Sequence, residues 1–139
     1  MEIRAFHSDD TASIVSLWER CGLVRPWNDP RRDIERKSHV QPDGFLVATH
    51  EGRIVGSVMA GYEGHRGWIN YLAVDPESRR AGLGRALMQA AERWLLAMDC
   101  PKINLQIRHD NLEAIRFYER IGFVEDKVAS FGKRLIPDS

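Results

Sequence analysis

The sequence is short of cysteine, carries no excess charge of either sign, and contains no long apolar run. Its two cysteines, Cys21 and Cys100, lie far apart without the spacing of metal ligands, so no metal site is expected. Two reduced thiols suit a cytoplasmic protein, because disulfides persist mainly in oxidising compartments. Twenty Lys and Arg balance twenty Asp and Glu, giving a formal net charge of +0. A nucleic-acid partner is therefore not expected, since phosphate contacts require a basic excess. A polybasic membrane-surface role falls by the same reasoning. No stretch approaches the roughly 18 apolar residues of a membrane span. The opening residues Met1 to Asp10 hold no hydrophobic signal segment. Repeats, low-complexity tracts and linkers are also missing, which predicts one domain over residues 1–139. What is present is a 43% hydrophobic composition, enough to build a core and too much for disorder.

The apolar periodicity predicts an order of elements. Glu2 to Phe6 reads as a strand, and Asp9 or Asp10 can cap a helix carrying Ile14, Leu17, Trp18 and Cys21 up to Gly22. Asp29 and Pro30 open a second helix, in which Arg31 to Lys37 mixes both signs as a solvated face would. Phe45 to Thr49 and Arg53 to Tyr62 form a hairpin around Glu51-Gly52. Trp68 to Val74 is almost continuously apolar and is expected to be covered on both faces. Leu83, Leu87, Ala90, Ala91, Trp94, Leu95 and Met98 define a long amphipathic helix, followed by a strand over Ile103 to Ile107. Asn111 caps a last helix that Gly122 closes, and Phe123 to Asp126 and Val128 to Leu135 read as two final strands. The predicted order is β-α-α-β-β-β-α-β-α-β-β. Hairpins combined with helical crossovers make this an α+β fold on a mixed sheet.

The segment from Val74 to Ala86 carries the most chemistry. It leaves a strand, turns at Asp75-Pro76 and enters a helix through Gly82 and Gly84. Helix-start amides point outward unpaired, the helix dipole adds positive character, and glycine lets a bulky anion come close. Arg79, Arg80 and Arg85 add three positive charges. Such a junction suits a phosphate or pyrophosphate, although an ordinary loop with surface arginines would share these glycines and arginines. A P-loop would need Lys-Ser/Thr after Gly84, where Arg85-Ala86 stand. A dinucleotide fingerprint would need a third glycine near Leu87.

A second segment runs from Asn111 to Phe123. Its pattern Asn-x-x-Ala-x-x-Phe-Tyr-x-x-x-Gly-Phe, together with Arg-x-x-Gly-x-Gly at Arg79 to Gly84, resembles the paired signatures of the GNAT (Gcn5-related) N-acetyltransferases. The resemblance covers Ile3 to Leu135. Arg25 to Pro30, Gly64 to Gly67 and Gly132 to Ile136 further look like the YpeA-type bacterial members. The fold it implies is a mostly antiparallel mixed sheet flanked by helices.

The resemblance implies acetyl-CoA as cosubstrate and assigns roles by position. Leu72, Ala73 and Val74 would pair with the pantetheine arm, and a backbone amide there would polarise the thioester carbonyl. Arg79, Arg80, Ala81, Gly82, Leu83, Gly84, Arg85 and Ala86 would wrap the pyrophosphate. Asn111 would contact the pantetheine region, and Tyr118 would protonate the departing thiolate. A phenol of reference pKa about 10 gives a proton to a thiolate of about 8.5 only when positioned to do so. Many members carry a general-base Glu on the central strand, whereas Trp68 to Leu72 contain no carboxylate here. Glu63 and His65, just before that strand, are the remaining candidates, directly or through water, and both also read as exposed turn residues. Tyr71 can orient water. Leu23 to Gly44 would wall the acceptor site, with Trp27 as apolar surface and Arg25 as a carboxylate-binding group.

The leading expectation is an N-acetyltransferase acting by direct attack of a primary amine through a tetrahedral intermediate, without an acyl-enzyme. The acceptor is a small molecule or a protein or peptide. The alternative is a non-catalytic coenzyme A or acyl-CoA sensor, which the missing strand carboxylate would suit. A homodimer is common in the family, and the sequence marks no surface for one.

Overall fold

Four antiparallel strands and one parallel strand form the sheet. In the computed structural model, which describes residues 1–138 apart from the side chain of Arg80, β1 (Glu2–Ala5) pairs with β2 (Phe45–His50), β2 with β3 (Arg53–Tyr62) and β3 with β4 (Gly67–Val74), all antiparallel. β5 (Ile103–Leu105) lies parallel to β4, and spatial order follows chain order. Helices α1 (Thr11–Arg20) and α2 (Pro30–Ser38) separate β1 from β2. Helix α3 (Leu83–Leu96) is the crossover that parallel neighbours β4 and β5 require, and α4 (Leu112–Arg120) follows β5. The mixed α+β fold is the one expected.

The sheet is a partition between two helical layers. Trp18 of α1 donates its indole N–H to Ser57 at 2.9 Å, while a Cβ placed on Gly56 would meet Leu87 of α3 at 2.8 Å. Adjacent strand residues point to opposite faces, so α1 and α3 cover opposite faces of β3. On the α1 side, Ile14, Leu17, Trp18, Ile34, Phe45 and Val47 form the buried cluster. On the α3 side, Leu83, Leu87, Met88, Ala91 and Leu95 are the buried face of the helix. The strand buried on both faces is therefore β3, continuously so from Val55 to Ala60. This corrects the expectation for β4, where Trp68 and Asn70 are exposed and alternate with buried Gly67 and Ile69. An apolar run reports hydrophobicity without saying which of its faces a helix reaches.

The chain falls into two compact units, Met1–Leu105 with Asp138, and Gln106–Pro137. The first contains the sheet and α1 to α3. The second contains α4 and the two expected final strands, which are a further correction: among the described residues neither Phe123 to Asp126 nor Val128 to Leu135 is a strand. Alternating apolar residues supply propensity, but a strand exists only through a hydrogen-bonded partner. Val124, Val128, Phe131 and Leu135 remain more than four-fifths exposed. The order of elements consequently ends at α4, and β5 stops at Leu105 instead of Ile107.

Candidate functional site

The site begins with an irregularity in β4. Ser57 pairs with Ala73 and Met59 with Asn70, so Tyr71 and Leu72 together face the single residue Val58. Two residues opposite one is a β-bulge, which breaks the ladder and re-aims the strand. Tyr71 sits there at φ 53°, a conformation bulky residues rarely adopt. It is over-determined by its surroundings. Its ring stacks on Trp18 at 3.7 Å, its carbonyl accepts from the Ser57 hydroxyl at 2.8 Å, and its own hydroxyl donates to Asp33 Oδ2 at 2.6 Å. Pairing with β5 covers Gly67 to Ile69 only, and β4 runs on through the bulge to Leu72, Ala73 and Val74.

The chain then makes the turn that the sequence marked. Asp75 is buried, and its carboxylate accepts from the Glu77 amide at 3.0 Å and from Arg20 at 2.9 Å. The amide bond, with Arg20 beside it, holds this carboxyl below the usual carboxylate range. Pro76–Ala81 form a 3-10 turn, and Gly82 at φ 71° redirects the backbone into α3. No Cβ clash requires glycine at position 82, where an added Cβ would meet nothing within 4 Å; the left-handed φ does. Gly82 has no side chain with which to cap the first turn of α3, so the amides of Leu83, Gly84 and Arg85, which have no partner within the helix, stand uncapped at its positive end. Arg79 and Arg85 are exposed beside them, Arg79 donating to the Val74 carbonyl at 3.4 Å. The side chain of Arg80 lies outside the described residues. The structure thus brings Leu72 to Val74 and Arg79 to Ala86 into one continuous strand, turn and helix start.

Glu63 and His65 are not part of that grouping. They occupy the β3–β4 turn, at the opposite end of β4 from Val74. Leu72 lies five positions beyond Gly67, roughly 16 Å of extended strand. The Glu63 carboxylate accepts from the amides of Arg66 and His65 at 2.5 and 2.6 Å, and these bonds lower its proton affinity. It ties the turn together.

In the second unit, Asn111 caps α4, its side-chain oxygen accepting from the Ala114 amide at 3.2 Å. The far end of α4 explains the rest of the signature. Phe123 N–H bonds the Tyr118 carbonyl at 2.9 Å, and Gly122 N–H bonds that of Glu119 at 3.1 Å. These are the 6→1 and 5→2 bonds of a Schellman motif, whose C′ residue must be left-handed, and Gly122 is at φ 103°. The motif's apolar contact is Tyr118 against Phe123, edge to face at 5.5 Å. The Tyr-x-x-x-Gly-Phe spacing is thus a helix stop that also fixes the Tyr118 ring. Burial pushes its phenol up to about 12.

Some residues were misread or missed. Arg25 donates to the carbonyls of Gly22 and Val24, so its guanidinium is tied into its own turn. Lys37, assigned to a solvated face, is buried; its ammonium donates to the Ala60 carbonyl at 2.6 Å and lies over the Trp94 ring. Asp33 gave no sequence signal, because its partner Tyr71 is 38 positions away. Among the described residues no group of three or more His, Cys, Asp and Glu is placed to hold a metal, and no helix is long and apolar enough to cross a membrane.

The profile of the acetyltransferase (GNAT) family matches residues 11–123, spanning both units. An acetyltransferase of Sodalis glossinidius (strain morsitans) is 52% identical over 139 residues, covering 99% of this chain and 98% of that one. The crystal structure of Ard1 from Thermoplasma volcanium is 31% identical with a TM-score of 0.73, over 88% of this chain and 82% of that one. The structure of AAC(6')-Iy in complex with the bisubstrate analog CoA-S-monomethyl-acetylneamine shares the fold at 16% identity, with a TM-score of 0.77 over 97% and 98% of the two chains. With a family profile over most of its length and a relative identical at half its positions, the chain belongs to the GNAT acetyltransferase family.

Proposed function

We propose that this N-acetyltransferase takes its acetyl group from acetyl-CoA and passes it directly to a primary amine, residues 1–139 acting as one domain. The observation that carries this reading is the path from β4 beyond its pairing with β5, through the left-handed Gly82, to the uncapped start of α3. An extended pantetheine arm needs backbone amides and carbonyls along a strand, which Leu72, Ala73 and Val74 would provide. A pyrophosphate needs outward amides and cations at one end of that strand, which Leu83 to Ala86 and the arginines Arg79, Arg80 and Arg85 would provide. A backbone amide at the bulge would stabilise the oxyanion formed when the amine attacks. Asn111 would contact the pantetheine through its side-chain NH2, and Tyr118 would hold the proton that the departing thiolate takes up. Burial raises the phenol's proton affinity, and desolvation would raise that of the departing thiolate as well, which would keep the gap between them from widening. The acceptor is a small amine or a protein or peptide amine. The cytoplasm, where Cys21 and Cys100 stay unpaired, is the compartment that suits it.

Release of free thiol from acetyl-CoA in the presence of a broad panel of amines tests the proposal. Thiol release dependent on an amine, with the acetylated amine recovered, is the expected result. A second reading, a coenzyme A sensor without catalysis, draws on the absence of a carboxylate from Trp68 to Leu72. Acetyl-CoA binding without thiol release across the panel would establish the sensor and remove the enzyme.

A further inference from the structure

Deprotonation of the acceptor is the step for which β4 offers no carboxylate. The attacking nitrogen must be neutral, and it must shed a further N–H proton as the amide forms. Glu63 and His65 stand at the end of β4 away from Leu72 to Val74. The bulge itself, however, presents a polar pair drawn from two elements. Tyr71 immediately precedes Leu72, and its hydroxyl donates to Asp33 Oδ2 at 2.6 Å. The other carboxylate oxygen accepts from Arg36 Nη1 at 3.1 Å. Asp33 keeps 22% of its side-chain surface open to solvent, so the pair is not sealed in the core. Backbone strain retained at a non-glycine residue, held by the Trp18 stack and the Ser57 bond, marks a position whose side chain matters.

We propose that Tyr71 and Asp33 form the subsite that receives the acceptor amine, Tyr71 accepting its N–H and Asp33 serving as the final proton acceptor. The proposal rests on the acetyl-transfer reading above. As the nitrogen bonds to the acetyl carbon, its proton passes to the Tyr71 oxygen, and the proton already on Tyr71 passes to Asp33 Oδ2. One N–H bond breaks, one Tyr71 O–H bond is exchanged and one carboxyl O–H bond forms, so Tyr71 is neutral before and after. Burial and the neighbouring Asp33 raise the Tyr71 pKa, with smaller contributions from Asp138 and Asp29, which keeps the phenol protonated. Arg36, bound to Asp138 at 2.6 Å and to Asp33 at 3.1 Å, offsets part of this carboxylate charge. The pair therefore selects an acceptor that offers a primary amine to a partly open Tyr-Asp site on the α1 and α2 face of the sheet.

Steady-state kinetics with acetyl-CoA and an amine active in the thiol-release screen provide the test, comparing wild type with Tyr71→Phe, Asp33→Asn and Asp33→Glu. Tyr71→Phe keeps the ring that stacks on Trp18, so it isolates the hydroxyl. The expected losses in kcat for Tyr71→Phe and Asp33→Asn are on the order of 10²-fold, as for other positioned proton acceptors. KM for acetyl-CoA should stay unchanged, and Asp33→Glu, which retains a carboxylate, should recover most of the loss. A pair that merely ties α2 to β4 gives another pattern: a lower melting temperature with kcat retained, or equal losses for Asp33→Asn and Asp33→Glu. Either pattern overturns the subsite while leaving acetyl transfer intact. A wild type that acetylates no amine overturns the acetyl-transfer reading, and the subsite with it.

Discussion

Gly122 and Tyr118 show how one residue pattern serves both a helix stop and a reactive side chain. The left-handed φ of Gly122 lets two amides turn back on α4, and Tyr118 is the residue whose carbonyl receives the second of them. A Cβ at position 122 meets nothing within 4 Å, so alanine there is strained by its backbone alone. Gly122→Ala should cost about 1–2 kcal/mol in urea unfolding, the usual penalty for an L-residue in this region. A loss below a few tenths would mean that the turn relaxes to another form. Tyr118→Phe removes only the hydroxyl, and the contact with Phe123 survives. It should lower kcat on the order of 10²-fold with little change in the KM for acetyl-CoA. Because burial pushes the phenol up to about 12, Tyr118 stays protonated between pH 6 and 9. Any bend of the wild-type rate profile in that range must therefore persist, at lower amplitude, in the Phe variant. Its disappearance would assign the bend to Tyr118 and contradict the raised pKa. Asn111 and Gly122 were legible from sequence because caps and stops are local. Tyr71 with Asp33 was not, since a contact over 38 positions leaves no spacing to read.

At the scale of elements, the readings that failed share a cause. A strand or helix face takes its meaning from what covers it, and periodicity reports only the element. Helix α2 illustrates this, because Arg31 to Lys37 reads as solvated while Lys37 packs into the sheet and Ile34 joins the core. Phe123 to Leu135 illustrates the reverse, alternating as a strand would while forming none among the described residues. Helix α3 was read correctly, since Leu83, Leu87, Ala91 and Leu95 recur at helical spacing and are all buried. Its close seat on β3 depends on Gly56, where a Cβ would lie 2.8 Å from Leu87, 3.2 Å from the Ala73 carbonyl and 3.3 Å from Leu83. The leucine ends can yield, whereas the Ala73 carbonyl belongs to the neighbouring strand. Gly56→Val should destabilise by about 1–3 kcal/mol, as overpacked cores do. It should also raise the KM for acetyl-CoA, because α3 begins at the proposed pyrophosphate site. A stability loss with an unchanged KM would show that the start of α3 holds its place independently of Gly56.

The whole molecule is neutral, and what its charge can do is decided locally. Twenty basic and twenty acidic residues cancel over the chain, yet Arg79 and Arg85 flank the uncapped amides of α3, with Asp75 turned inward toward Arg20 and Glu77. Binding of an anion at this one end should therefore be felt as stability of the entire fold. Acetyl-CoA at 100 times its dissociation constant should contribute about 2.7 kcal/mol, which for a chain of this size raises Tm by roughly 10 °C. Arg85→Ala removes one charge-assisted contact, worth about 1.5–3 kcal/mol, and should weaken acetyl-CoA binding by roughly 10- to 100-fold. At the same ligand concentration about half of the Tm increase or more should vanish. S-acetylpantetheine, which carries the thioester but no pyrophosphate, separates this local effect from a general loss of positive charge. Its weaker binding should be the same for wild type and Arg85→Ala, because it engages β4 without reaching the arginines. Equal weakening of both ligands by Arg85→Ala would place the arginine's influence on the fold or on the pantetheine arm, and the pyrophosphate would then need another holder.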